Sequence, residues 1–153
     1  MKKGKQIYCR IFQTGLKLAL PFLPYRKPKI VGSVKMLPEI LQKHRCESLL
    51  LITDPGIAKL GLINPLKSVL LENGIRCTVY DRTVANPTTA NVEEALKLYH
   101  SAGCSALIGF GGGSSIDCAK AVGACIARPG KPLEKMKGIL KVGRRLPLLI
   151  AVP

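Results

Sequence analysis

The chain has 153 residues, 47% of them hydrophobic, which is enough to bury one ordinary core and hardly two. Its 24 Lys and Arg against 9 Asp and Glu give a net charge of +15, distributed as +10 over residues 1–46, −1 over residues 47–127 and +6 over residues 128–153. A near-neutral centre argues against a dedicated nucleic-acid fold, which would spread its phosphate-binding cations over a folded face.

The cysteines, at 9, 46, 77, 104, 118 and 125, form no CxxC pair or Cys/His cluster, so neither a zinc module nor a thioredoxin-like site is indicated and reduced thiols are expected. Lys17, Pro21 and Pro24 interrupt the most apolar early stretch. No run of about 18 apolar residues survives, which excludes a membrane span and a clean secretory signal and predicts a cytoplasmic protein.

In chain order, residues 5–20 set Ile7, Ile11 and Leu18 on one helical stripe, flanked by Tyr8, Phe12 and Ala19 with Lys5, Arg10 and Lys17 among them. The pattern predicts a basic amphipathic helix, docked on its own domain or a partner subunit, with an anionic membrane surface as the alternative. Prolines at 21, 24 and 28 then break any helix. Residues 1–27 read as a basic extension and residues 28–153 as the folded domain.

Ser33 is a possible N-cap for a helix that places Leu37, Ile40, Leu41 and His44 on one face and runs to Arg45. Ser48-Leu-Leu-Leu-Ile-Thr53 is a continuous apolar run ending in Asp54-Pro-Gly, the pattern of a strand covered on both faces. Residues 57–73 are helical in period with a break near 61–65, stopped by Asn73-Gly74. A second strand is expected over 75–80, a loop over 81–86 and a helix over 87–102. The third strand, 105–110, leads through a glycine run at 111–113 into a helix over 114–127. Residues 128–147 read as a surface connection, and 148–152 as another strand.

Strands alternating with helices at this spacing predict a parallel sheet with helices on both faces, whose ligands bind beyond the carboxyl ends of the strands. Those ends are Asp54, residues 81–86 and residues 111–115. At the last of them, Gly109-Phe-Gly-Gly-Gly-Ser-Ser-Ile-Asp-Cys-Ala-Lys120 occupies a strand-to-helix junction. Glycines let the backbone approach a diphosphate, and the next helix offers free N–H groups; the bland reading is a turn that packs helix on strand. The string is neither GxGxxG nor a Walker loop.

Asp54 can accept ribose hydroxyls and repel a 2′-phosphate, or it is a turn residue. Asn86 is a ligand contact or part of an ordinary Asn-Pro turn, and Asp117 meets a ligand, the helix dipole or both. His44 and His100 read as surface or packing residues. No paired carboxylates and no nucleophile with a recognisable base are present, so no catalytic residue and no metal ligand is assigned.

These residues resemble the amino-terminal part of the iron-containing (group III) alcohol dehydrogenases. The resemblance is carried by Thr53-Asp54, by Asn86-Pro-Thr-Thr-Ala-Asn-Val-Glu-Glu-Ala95, by Gly111-Gly-Gly-Ser-Ser-Ile-Asp-Cys-Ala-Lys120 and by Ile150-Ala-Val-Pro153. It covers roughly residues 28–153. It implies a Rossmann-like α/β domain in which Gly112, Gly113, Ser114 and Ser115 hold the pyrophosphate of a nicotinamide dinucleotide. Asp117 lies toward its ribose side, Asn86 lies near it, and Asp54 contacts the adenosine ribose, favouring NAD over NADP.

In a complete member of the family a helical domain supplies one Asp and three His to Fe2+ or Zn2+. That domain is expected to be absent from this chain, which would then be inactive alone. The substrate implied is a small alcohol or aldehyde, and the complete enzyme is expected to be a homo-oligomer. Two other readings stand beside this one: a non-catalytic module whose basic ends bind a partner, and a dehydroquinate synthase-like or glycerol dehydrogenase-like member of the same fold.

Overall fold

The computed structural model describes residues 10, 11, 13–15, 17, 18, 28–138 and 141–153. The chain divides into two compact units, residues 1–31 and 32–153. In the first, the described residues between 10 and 18 are helical and exposed, Ile11 and Leu18 included. Ile7, Tyr8, Phe12 and Ala19, which complete the amphipathic pattern, lie outside the described residues.

The second unit is an α/β fold. Ser33 accepts a hydrogen bond from the Lys35 N–H and starts a 3-10 turn, Val34–Met36, which runs into α1, Leu37–Lys43. There follow β1 (Ser48–Ile52), α2 (Pro55–Lys59), α3 (Asn64–Glu72), β2 (Arg76–Tyr80), α4 (Thr89–Ser101), β3 (Ala106–Phe110), α5 (Gly113–Ala127), a 3-10 turn at Leu133–Met136 and β4 (Leu148–Val152). The break expected near 61–65 separates α2 from α3. Gly61 supplies a left-handed φ of 69° there, and Pro65 sits in the first turn of α3, where its missing N–H costs nothing.

All four strands are parallel, in the order β2-β1-β3-β4. Every residue of β1 is buried because the strand is central and covered on both sides. Leu50 and Ile52 point to a core built with Leu107 of β3 and with Val92, Tyr99 and Val122 of the α4 and α5 layer. Leu49 and Leu51, offset by one residue, face the other way; there α3 packs on β2 and α1 on α3, burying Leu37, Leu41, Leu66 and Leu70. Each fully buried leucine contributes about 2 kcal/mol from the area removed from water.

From β1 the chain goes to β2 on one side and then returns past it to β3 on the other. That reversal opens a crevice at the carboxyl ends of β1 and β3. The segment expected to be a plain surface connection is partly built into the fold. Met136 is buried, and Arg128 at the end of α5 donates from Nε to the Val142 carbonyl at 2.5 Å.

Cys118 on α5 is fully buried, and burial pushes its thiol pKa from 9.0 up to about 11, with the neighbouring Thr83 hydroxyl pulling weakly the other way. Between pH 9 and 11 the folded chain keeps a proton that the unfolded chain gives up. This contribution is complete below pH 9 and is lost as pH rises toward 11, by on the order of 1 kcal/mol per pH unit. Cys77, raised by burial to about 11, adds to the slope. Urea melts across this range are expected to show the decline and Cys118→Ala to flatten it; an unaltered slope in that variant would locate the titration elsewhere.

Candidate functional site

The crevice begins at the exit of β1. Thr53 is fully buried and ties three elements together: its Oγ1 donates to the Phe110 carbonyl at 3.0 Å, its N–H to the Tyr80 carbonyl at 2.9 Å, and its own carbonyl accepts from the Thr83 N–H at 3.3 Å. Asp54 follows in extended backbone as the N-cap of α2. Its Oδ1 accepts from the Ile57 N–H at 3.0 Å. The other oxygen, Oδ2, has no partner among the described residues and lies 3.6 Å from where a side chain on Gly111 would begin. The turn role and a ligand role are therefore compatible, one oxygen for each.

The glycines after β3 divide by what they do. Gly109 lets α5 lie against the strand, since a Cβ there would be 2.9 Å from Ile116 Cα and 3.1 Å from Ala119 Cβ. Gly111 has φ 109° and would drive a Cβ to 2.6 Å from Ile57 Cδ1; its N–H is anchored on the Val152 carbonyl of β4 at 2.8 Å. Both are required by the chain itself. Gly112 and Gly113 are not: Gly112 is extended with φ −64°, Gly113 is helical, and a Cβ on either would meet nothing within 4 Å.

Two exposed positions beside the crevice thus lack side chains for no reason internal to the fold. The Gly113 and Ser114 N–H groups lie there without intrahelical acceptors, at the positive end of the helix dipole, while the Ser115 and Ile116 N–H groups donate to the Gly112 carbonyl at 3.1 and 3.3 Å. Ser115, 1% exposed, has a buried Oγ with no hydrogen-bond partner. Unpaired donors and an open backbone fit a phosphate group.

The loop after β2 forms the facing rim. Asn86 adopts φ 55°, which Asn tolerates better than most residues, and its N–H donates to Ser114 Oγ at 3.3 Å. Thr83 in the same loop is 1% exposed, its hydroxyl beside the Cys118 thiol with no partner in hydrogen-bonding geometry. Asn86, Ser114, Gly112 and Gly113 are therefore drawn to one place.

Asp117 is exposed in the second turn of α5 and pairs with Lys120 at 3.1 Å. The dipole reading fails, because no acidic residue lies in the first turn, where that effect acts. Asp117 does share a helix face with Gly113, one turn earlier. His44 and His100 are exposed, the latter edge-on to the Tyr99 ring at 5.5 Å. Among the described residues no group of three or more His, Cys, Asp or Glu side chains comes together, and no helix is long and apolar enough to cross a membrane.

Two concavities of about 500 and 530 Å3 lie along α4, α5 and the segment after α5, the first against residues 128–134 and the second against Leu133, Met136 and Val142, and neither is lined by Asp54, Gly112 or Gly113. Sequence reasoning assigned no role to Thr83 and Asn91. For Asn91 a signal was available, since Thr88-x-x-Asn91 has the spacing of a capping box.

A parallel sheet with helices on both faces and a glycine junction at its switch point is a Rossmann-like α/β arrangement. Residues 29–153 match the family described as iron-containing alcohol dehydrogenase, and the chain belongs to that family. It is 34% identical over 125 residues to choline dehydrogenase of Bacillus subtilis, a match covering 80% of this chain and 31% of that protein. Among solved structures it is similar to 1,3-propanediol oxidoreductase, with a TM-score of 0.72 and 29% identity, over 77% of this chain and 31% of that one. It is also similar to NADH-dependent butanol dehydrogenase A from Thermotoga maritima, with a TM-score of 0.71 and 26% identity, over 84% and 33%. The chain spans about a third of the length of these relatives.

Proposed function

We propose that residues 28–153 form the NAD-binding part of an oxidoreductase that interconverts a small alcohol and its aldehyde or ketone. The observation that carries this reading is the pair of glycines at 112 and 113, exposed beside the crevice with room for a side chain that the chain does not use. Gly112, Gly113, Ser114 and Ser115 form the turn that holds the pyrophosphate, with the Gly113 and Ser114 N–H groups, which have no intrahelical acceptor, as its donors. Asn86 closes the facing rim, and Asp117 lies along the same side of α5. Asp54 receives the adenosine ribose on Oδ2 and disfavours a 2′-phosphate, so NAD is the cofactor rather than NADP. The NADH dependence in the name of the Thermotoga relative agrees with that choice.

The nicotinamide supplies hydride transfer, and the family's Fe2+ or Zn2+ supplies Lewis-acid polarisation of the alcohol oxygen. Asp54 and the glycine junction bind and orient; they do not touch the reacting carbon. No described residue is assigned as a metal ligand or catalytic group, and residues 1–153 alone are proposed to lack turnover. The same reading places the protein in the cytoplasm as a homo-oligomer.

Calorimetric titration with NAD tests the reading through Gly112→Val. A Cβ there meets nothing within 4 Å, so the variant is expected to fold and to lose no more than about 1 kcal/mol from the poorer N-cap, while its affinity for NAD falls by about tenfold or more because the phosphate can no longer approach the backbone. Unchanged affinity in the folded variant would remove the phosphate assignment.

A further inference from the structure

Eight residues, 81–88, carry the rim from β2 to α4, and Val84, Ala85 and Asn86 in the middle of them are exposed. One side chain at the start of α4 holds both ends of this excursion. Asn91 Nδ2 donates to the Arg82 carbonyl at 3.1 Å and to the Tyr80 hydroxyl at 3.1 Å, while its Oδ1 accepts from the Thr88 N–H and the Thr88 hydroxyl, each at 3.3 Å. A carbonyl can only accept and a backbone N–H can only donate, so no other orientation of the amide satisfies both ends.

The Arg82 end is braced further. The Arg82 guanidinium lies 3.5 Å from Glu94 Oε2 and 5.4 Å from the Tyr80 ring centroid, and the Tyr80 hydroxyl donates to the same carboxylate oxygen at 3.2 Å. Between the two tied ends, among the described residues, two backbone N–H groups reach the rest of the site: Thr83 N–H to the Thr53 carbonyl and Asn86 N–H to Ser114 Oγ. The second is the one that seats the rim against the glycine junction.

Resting on the dinucleotide reading above, we infer that Asn91 is a positioning residue for the cofactor: by tying Arg82 to Thr88 it fixes where Asn86 meets Ser114 and so sets the width of the phosphate cradle. Asn91 touches no ligand itself. Its two functions are separable, because the acceptor oxygen caps α4 and the donor nitrogen holds the loop. Asn91→Asp keeps the first and destroys the second, setting a carboxylate against the Arg82 carbonyl and the Tyr80 hydroxyl that already serves Glu94. Thr88→Ala does the reverse, removing the hydroxyl cap of α4 and leaving both Nδ2 bonds in place.

The test uses the full chain with two readouts, amide exchange of the peptide covering residues 82–88 and calorimetric affinity for NAD. Asn91→Asp is expected to speed exchange in that peptide by about five- to tenfold without changing exchange in β1, and to weaken NAD by a similar factor. Asn91→Ala, which loses both ties, should exceed it in both readouts. Thr88→Ala should lower the unfolding midpoint while NAD affinity stays within about twofold.

Parental exchange and affinity in Asn91→Asp would overturn the inference. So would a loss of affinity in Thr88→Ala matching that in Asn91→Asp, which would mean general destabilisation. If the parent chain fails to bind NAD while Asn91→Asp still speeds exchange, the cofactor reading falls and the tie across the loop stands.

Discussion

Gly109→Val is expected to destabilise the domain by about 3 kcal/mol and to abolish measurable dinucleotide binding, the largest effect of any substitution considered. Gly109 lies in β3 beneath the first turns of α5. A Cβ there would stand 2.9 Å from Ile116 Cα, 3.1 Å from Ala119 Cβ and 3.3 Å from the Ser115 carbonyl oxygen. Two of those atoms belong to backbone and cannot swing aside, so α5 must lift from the sheet. Overpacking of a well-filled interface costs about 1–3 kcal/mol, and a branched side chain against backbone belongs at the upper end. Because α5 carries Gly113, Ser114 and Ser115, the same displacement moves the cradle.

Gly112→Val, three residues on, is the control, since a Cβ there meets nothing within 4 Å. Denaturant midpoints and slopes of the two variants separate the cases: Gly109→Val should fall well below the parent, Gly112→Val should stay within about 1 kcal/mol of it. A parental midpoint for Gly109→Val would mean that α5 does not pack on β3 as described.

Asp54→Gly is expected to shift the ratio of NAD to NADP affinity by about 10- to 100-fold toward NADP. The carboxylate has one oxygen committed to the Ile57 N–H and one directed to the side of Gly111, at the mouth of the crevice. At a separation of about 6 Å and an effective dielectric constant of about 20–40, removing a like charge facing a 2′-phosphate is worth about 1.4–2.8 kcal/mol. Stability should change little, because glycine replaces aspartate at an N-cap at a cost of a few tenths of a kcal/mol. The comparison belongs at fixed, low salt, where screening does not hide the charge. Should both affinities drop together with their ratio intact, Asp54 would be a helix cap and no more.

The contrast between these positions explains how far residues alone could lead. Alternation of short apolar runs with helical periods, bounded by Asp54-Pro-Gly, Asn73-Gly and Gly111-Gly-Gly, was sufficient for the parallel α/β architecture. Each of those signals is local: a strand covered on both faces is apolar throughout, and a left-handed residue such as Gly74 favours glycine wherever the chain folds. The positions of the proposed site residues 54, 86 and 112–115 were legible for the same reason. They stand at ends of elements, where side-chain chemistry is not used for packing.

What could not be read was the division of labour inside each motif. In sequence, Gly109, Gly111, Gly112 and Gly113 are four alike residues, and only their neighbours in space separate one that admits a helix, one that accommodates Ile57 and two that leave room for a ligand. Asp117 looked like a helix-start residue until α5 was seen to begin at Gly113, which puts it in the second turn beside Lys120. Asn91 and Thr53 act across gaps: Asn91 Nδ2 reaches back 11 and 9 residues to Tyr80 and Arg82, and Thr53 Oγ1 reaches across 57 residues to Phe110. Periodicity and propensity report on neighbours within a few turns. Contacts closed by the sheet order β2-β1-β3-β4 exist only once the strands have paired, so the cradle's width and the anchoring of its rim belong to the folded molecule, while its location belongs to the chain.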